Sequence, residues 1–212
     1  MQEHHISVTK TARYYTLGDV SNAKHVWIVL HGYAELARDF IGHFTDLVND
    51  ETAVIAPEGL HRFYKRGFYG DVVASWMTKE DRLNDIQDYI GYLNTLVKQC
   101  SNAERVNIFG FSQGVATACR WLGQTTVKNL NAIVLWAGTF PTDVELNSAQ
   151  SSLYHGRVYL CFDDQDPFRT NESWQKQLAF FEASSITPHL FPYIGKHEIP
   201  KHELKRFLAH LL

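Results

Sequence analysis

At 212 residues, 45% of them apolar, the chain is long enough to bury a full core and too apolar to remain disordered. Its net charge of −3 with neutral histidines offers no basic footprint for nucleic acid. It has no apolar run of about 18 residues, so stable membrane insertion is not expected. Cys100, Cys119 and Cys161 are odd in number and widely spaced, which suits a reducing, cytoplasmic setting and neither a disulfide framework nor a zinc site. The first ten residues lack the apolar stretch of a signal peptide. The histidines show no ligand spacing, so no metal and no cofactor is expected.

Residues 4–9 and 12–17 alternate polar and apolar side chains and predict an N-terminal β-hairpin. Residues 26–30 form a continuous apolar run, the mark of a strand buried on both faces of a mainly parallel sheet. Leu36, Phe40, Phe44 and Leu47 or Val48 predict a helix over 35–48, and 53–56 predict a short strand closed by Pro57. Residues 58–77 have no clean period and carry Phe63, Tyr64, Phe68, Tyr69 and Trp76, so they read as a long aromatic loop. Leu83, Ile86, Ile90, Leu93 and Val97 predict an amphipathic helix over 79–99. Beyond it come a strand at 106–109, a helix at 115–122, a strand at 132–136, an irregular stretch at 138–152, a strand at 157–162, a helix at 171–183, a strand at 189–193 and a helix at 201–212. This alternation predicts one α/β domain over 1–212, a doubly wound, mainly parallel sheet with no separate cap.

Between the strand at 106–109 and the following helix stands Gly110-Phe111-Ser112-Gln113-Gly114. A serine on a sharp strand-to-helix turn, flanked by glycines where side chains would collide, is a nucleophile elbow. A serine hydroxyl needs a base, and the base an orienting acid. In α/β-hydrolases these follow in the order serine, acid, histidine. The acid candidates lie in Asp163-Asp164-Gln165-Asp166-Pro167, directly after a strand. Asp166 is preferred because Pro167 would stiffen its loop, with Asp163 in reserve; an aspartate of this group is also expected to make the turn or cap the next helix. The base is His197, in the loop before the last helix. Two backbone donors should form an oxyanion hole: Gln113 N–H, after the nucleophile, and Tyr33 N–H, in His31-Gly32-Tyr33 after the strand at 26–30. The aromatics of 58–77, Phe68 among them, and Trp136 would line an apolar pocket or fill core.

Leu30-His31-Gly32, Pro57-Glu58-Gly59, Ser75-Trp76, Phe111-Ser112-Gln113-Gly114, Asp166-Pro167 and Gly195-Lys196-His197 occur in the order found in the phospholipase/carboxylesterase family of α/β-hydrolases, which the chain resembles from about residue 25 onward. The resemblance implies Ser112, Asp166 and His197 as a triad, Tyr33 and Gln113 as oxyanion donors, and Trp76 near the acyl pocket. Ala34 and Asp163 stand where the family commonly has glycine, Lys196 separates Gly195 from the histidine, and Met77-Thr78 replaces Phe-Asp. The expected function is a serine carboxylesterase acting on a small-molecule ester. An acyl thioesterase or a lysophospholipase with the same triad is the alternative, and a non-catalytic binding module the more distant one. A homodimer is left open.

Overall fold

The computed structural model describes residues 1–211 apart from 101, 142 and 145–150. Seven strands form one sheet in the order β1-β3-β2-β6-β7-β8-β9. They are β1 Tyr14–Leu17, β2 His25–Leu30, β3 Thr52–Pro57, β6 Arg105–Phe111, β7 Leu130–Trp136, β8 Arg157–Phe162 and β9 His189–Pro192. All neighbours are parallel except β1, which runs antiparallel to β3. The helices are α1 Ala37–Phe40, α2 Arg82–Leu96, α3 Gln113–Gln124, α4 Asn171–Ala183 and α5 Lys201–Leu211.

The period-two geometry of the strands sends alternate side chains to opposite faces. Val26, Ile28, Val106, Ile108, Ile133 and Leu135 join a core completed by α2, α3 and α4, with Trp121 and Phe181 inside it. Trp27, Val29, Phe109, Phe111, Val134 and Trp136 face the other side, where Phe40, Phe44, Leu204 and Phe207 complete the second core. The central strands are apolar along most of their length because both faces are covered; the buried Asn107 in β6 accepts a hydrogen bond from Asn131 Nδ2 at 2.8 Å. Each fully buried Leu, Ile or Phe contributes about 1.5–3 kcal/mol through removal from water.

Four expectations need correction. The N-terminal hairpin does not form: residues 4–9 carry no strand, and Ile6 and Val8 are exposed. Tyr14–Leu17 instead pairs with β3. An isolated two-stranded ribbon is marginal in water, whereas the edge of a packed sheet offers partners already in place. Residues 35–48 are not one helix but the single turn α1 followed by a 3₁₀ segment, Ile41–Leu47. Gly42 and Thr45 are poor helix formers, yet Phe40, Ile41 and Phe44 still reach the core. The aromatic loop at 58–77 contains an antiparallel hairpin, β4 His61–Arg66 and β5 Tyr69–Ser75, turning at Gly67 with φ of 75°. Leu83, assigned to the buried face of α2, is 68% exposed in its first turn.

The stretch at 138–152 lies partly outside the described residues. Among the described residues no helix is long and apolar enough to cross a membrane.

Candidate active site

β6 ends at Phe111 and α3 begins at Gln113, so Ser112 alone makes the turn. Its backbone sits at φ 52°, ψ −114°, a conformation costly for a residue with a side chain. The turn is held by close approach on three sides. A Cβ on Gly110 would lie 2.5 Å from Gly114 O, and one on Gly114 would lie 2.2 Å from Leu30 O. One on Gly138 would lie 2.5 Å from the Val115 side chain.

His197 reaches the elbow from the loop after β9. Its Nε2 lies 2.8 Å from Ser112 Oγ and its Nδ1 lies 2.8 Å from Asp166 Oδ2. With Nδ1 as donor to the carboxylate, Nε2 is left to accept from the serine hydroxyl. Asp166 is buried, and its Oδ1 accepts from Phe168 N–H at 2.8 Å. The imidazole packs against Phe168 at 4.6 Å and Phe111 at 5.3 Å. Phe168 escaped the sequence reading, although its place two residues after the acid candidate was a usable signal.

Asp163 has a separate task. Its Oδ2 accepts from Gly195 N–H at 2.7 Å and Lys196 N–H at 2.6 Å, and its Oδ1 from Gln165 N–H. It clamps the loop that presents His197. Burial alone would raise its pKa, but these three N–H groups hold it below the usual carboxylate range.

The loop after β2 lies beside the elbow, since Leu30 pairs with Gly110 in the sheet. Tyr33 N–H and Gln113 N–H donate no backbone hydrogen bond among the described residues. A buried network supports this loop. Gly32 N–H donates to Glu35 Oε2 at 2.6 Å. His31 Nδ1 donates to Gly32 O at 2.7 Å, and its Nε2 accepts from Gly59 N–H at 2.9 Å. Trp76 Nε1 donates to His31 O at 2.9 Å. The Gln113 side chain accepts from Trp76 N–H and donates to Ser75 Oγ and Met77 O.

The family model for phospholipase/carboxylesterase matches residues 19–212. The chain belongs to that family. It is a hydrolase, and the short motifs that separate along the sequence, from Leu30-His31-Gly32 to Gly114, meet in the one network just described. Solved structures with the same fold include the esterase PE8, at 23% identity with 96% of this chain and 100% of that one covered and a TM-score of 0.71. They also include Zea mays acyl-protein thioesterase 2 (16% identity, 95% and 99% covered, TM-score 0.70) and the Bacillus cereus carboxylesterase (14%, 95% and 95%, TM-score 0.66). A search of curated protein sequences returns no match.

Two of the departures from the family's glycines fall at left-handed backbone positions, Ala34 at φ 61° and Lys196 at φ 55°. Each keeps the conformation a glycine would adopt freely, at a cost of about 1–2 kcal/mol.

A cavity of about 370 Å³ opens beside Ser112 and His197, bounded among others by Tyr33, Leu160, Phe162, Phe168 and Trp174. The three expected pocket aromatics are elsewhere. Trp76 and Trp136 are fully buried, and Phe68, at the tip of the β4–β5 hairpin, is 98% exposed. The tryptophans are props: Trp76 holds His31 O, and Trp136 Nε1 donates to Glu198 O at 2.9 Å beneath the His197 loop. Indole needs a partner for its N–H when buried, and both find one in a loop bordering the site.

Proposed function

We propose that the protein is a serine carboxylesterase in which Ser112 is the nucleophile, His197 the general base and acid, and Asp166 the residue that orients the imidazole. The observation that carries this reading is the unbroken line from Asp166 through His197 to Ser112, 2.8 Å at each step, opening on the cavity. His197 Nε2 takes the hydroxyl proton as Ser112 Oγ attacks the ester carbonyl. The oxyanion is met by Tyr33 and Gln113 N–H groups. His197 then gives its proton to the departing alcohol, leaving an acyl-serine. A water molecule, deprotonated by the same nitrogen, attacks the acyl carbon; the proton returns to Ser112 and the carboxylic acid leaves. Asp166 stays ionised and stabilises the imidazolium.

The substrate is a small-molecule ester. The cavity's modest volume and mixed lining favour a short acyl group over a long fatty chain. The test is hydrolysis of p-nitrophenyl esters from acetate to palmitate, with Ser112→Ala in parallel. Turnover peaking at short chains and falling at least roughly 10⁴-fold in the variant is expected. Full turnover by a clean Ser112→Ala preparation overturns the assignment, and a peak at long chains moves the reading to a thioesterase or lysophospholipase.

A further inference from the structure

The cavity beside Ser112 is not uniformly apolar, because Arg169 and Gln177 share its lining with Leu160, Phe162 and Trp174. The Arg169 side chain is only 18% exposed. Its guanidinium lies 4.2 Å over the Trp174 ring and 5.1 Å from the Phe162 ring centroid, which fixes the fork in place. Its ion partner is Asp164, Nη1 to Oδ1 at 3.0 Å, a carboxylate that is 79% exposed. Solvent screens such a pair. Arg169 Nε is buried without a hydrogen-bond partner among the described residues.

Gln177 adds a donor. Its Oε1 accepts from Phe140 N–H at 2.7 Å, so its amide nitrogen remains for the cavity and has no partner among the described residues. Directly after Arg169, Thr170 caps α4, whose positive end adds to the field here. Asp166 is the carboxylate in the lining, and both its oxygens are engaged, one by His197 and one by Phe168 N–H.

We propose that this end of the cavity recognises a carboxylate, so that the preferred substrate is an ester bearing an acid group on its acyl part, such as the half-ester of a short dicarboxylic acid. Arg169 binds the carboxylate and Gln177 donates to it while the ester carbonyl sits at Ser112. The planar guanidinium fork matches a planar carboxylate, and a partly desolvated cation held by aromatic rings gains most from an anion that shares its shelter. This inference rests on the esterase reading.

The test compares p-nitrophenyl hydrogen glutarate with p-nitrophenyl pentanoate, equal in chain length and differing in charge. The ratio of kcat/KM for the charged over the neutral ester is expected to drop roughly ten- to hundredfold in Arg169→Gln, with part of it kept in Arg169→Lys. Because the ratio is taken within one preparation, lost folded protein cancels. An unchanged ratio overturns the proposal.

Should the variants not fold, the wild-type protein decides. Glutaramate must inhibit pentanoate-ester hydrolysis at least about tenfold better than the uncharged pentanamide does, with the advantage shrinking as salt rises; equal inhibition overturns the proposal. If no ester is turned over, the esterase reading has failed. The carboxylate site is then decided by whether glutaramate raises the melting temperature more than pentanamide does.

Discussion

Asp163 and Asp166 show how two identical side chains three residues apart divide the work. Asp166 faces the imidazole, and Asp163 ties down the backbone that carries it. Replacing Asp163 with Ala removes two charge-assisted hydrogen bonds to that loop, a loss of about 3 kcal/mol or more. The expected result is a lower melting temperature and a kcat reduced roughly ten- to hundredfold with KM little changed, read by thermal unfolding and steady-state kinetics on one neutral ester. Three aspartates within four residues announced an acid in this turn. Asp166 was preferred over Asp163 for the stiffening by Pro167, and it is the one that faces the imidazole; that Asp163 would hold the histidine's loop was not legible, because it depends on where the loop after β9 returns. The meeting of Ser112, Asp166 and His197 was legible because each sits just past the end of a strand, where a parallel sheet gathers its loops.

The elbow is the element whose geometry leaves least room for change. A Cβ on Gly114 would fall within 3 Å of three backbone atoms, Leu30 O and C and His31 O, none able to rotate away. Gly114→Ala should therefore cost about 3 kcal/mol or more. Gly42→Ala, where nothing lies within 4 Å, should change stability by less than about 1 kcal/mol. Urea midpoints of the two variants against wild type check the contrast. Elements buried on both faces were readable to within two residues, because an apolar run with defined ends admits few alternatives. The helix over Asn171–Ala183 begins at Thr170, whose side chain caps it. The β4–β5 hairpin was not readable, since its side chains are largely solvated and show no period. The alternation before Leu17 announced a strand but not its partner, which is supplied by β3, far along the chain.

Across the whole molecule, the network under the β2 loop ties distant segments to one protonation state. His31 is buried, with Nδ1 donating to Gly32 O and Nε2 accepting from Gly59 N–H, an arrangement that only the neutral ring can make. Burial lowers its pKa to about 4. The unfolded chain takes up a proton near pH 6.5 and the folded one does not, so this group's effect on stability is fully favourable above about 6.5 and declines as pH falls toward about 4. The loss is about 3 kcal/mol. Urea unfolding at pH 7 and pH 4.5 should show it, and His31→Gln should have a flatter profile than wild type over the same interval.

The Asp163 clamp has a consequence for how the site moves. β8 and β9 are adjacent strands, and their following loops are joined twice, by Asp163 to Gly195 and Lys196 and by Asp166 to His197. Asp166 and His197 therefore form one linked group. Ser112 belongs to another, rooted in β6, with β7 between them. A shift of the sheet edge is therefore borne by the contacts between the two groups: the gap between Nε2 and Oγ, the packing of Phe111 on the imidazole and the Trp136 Nε1 to Glu198 O hydrogen bond.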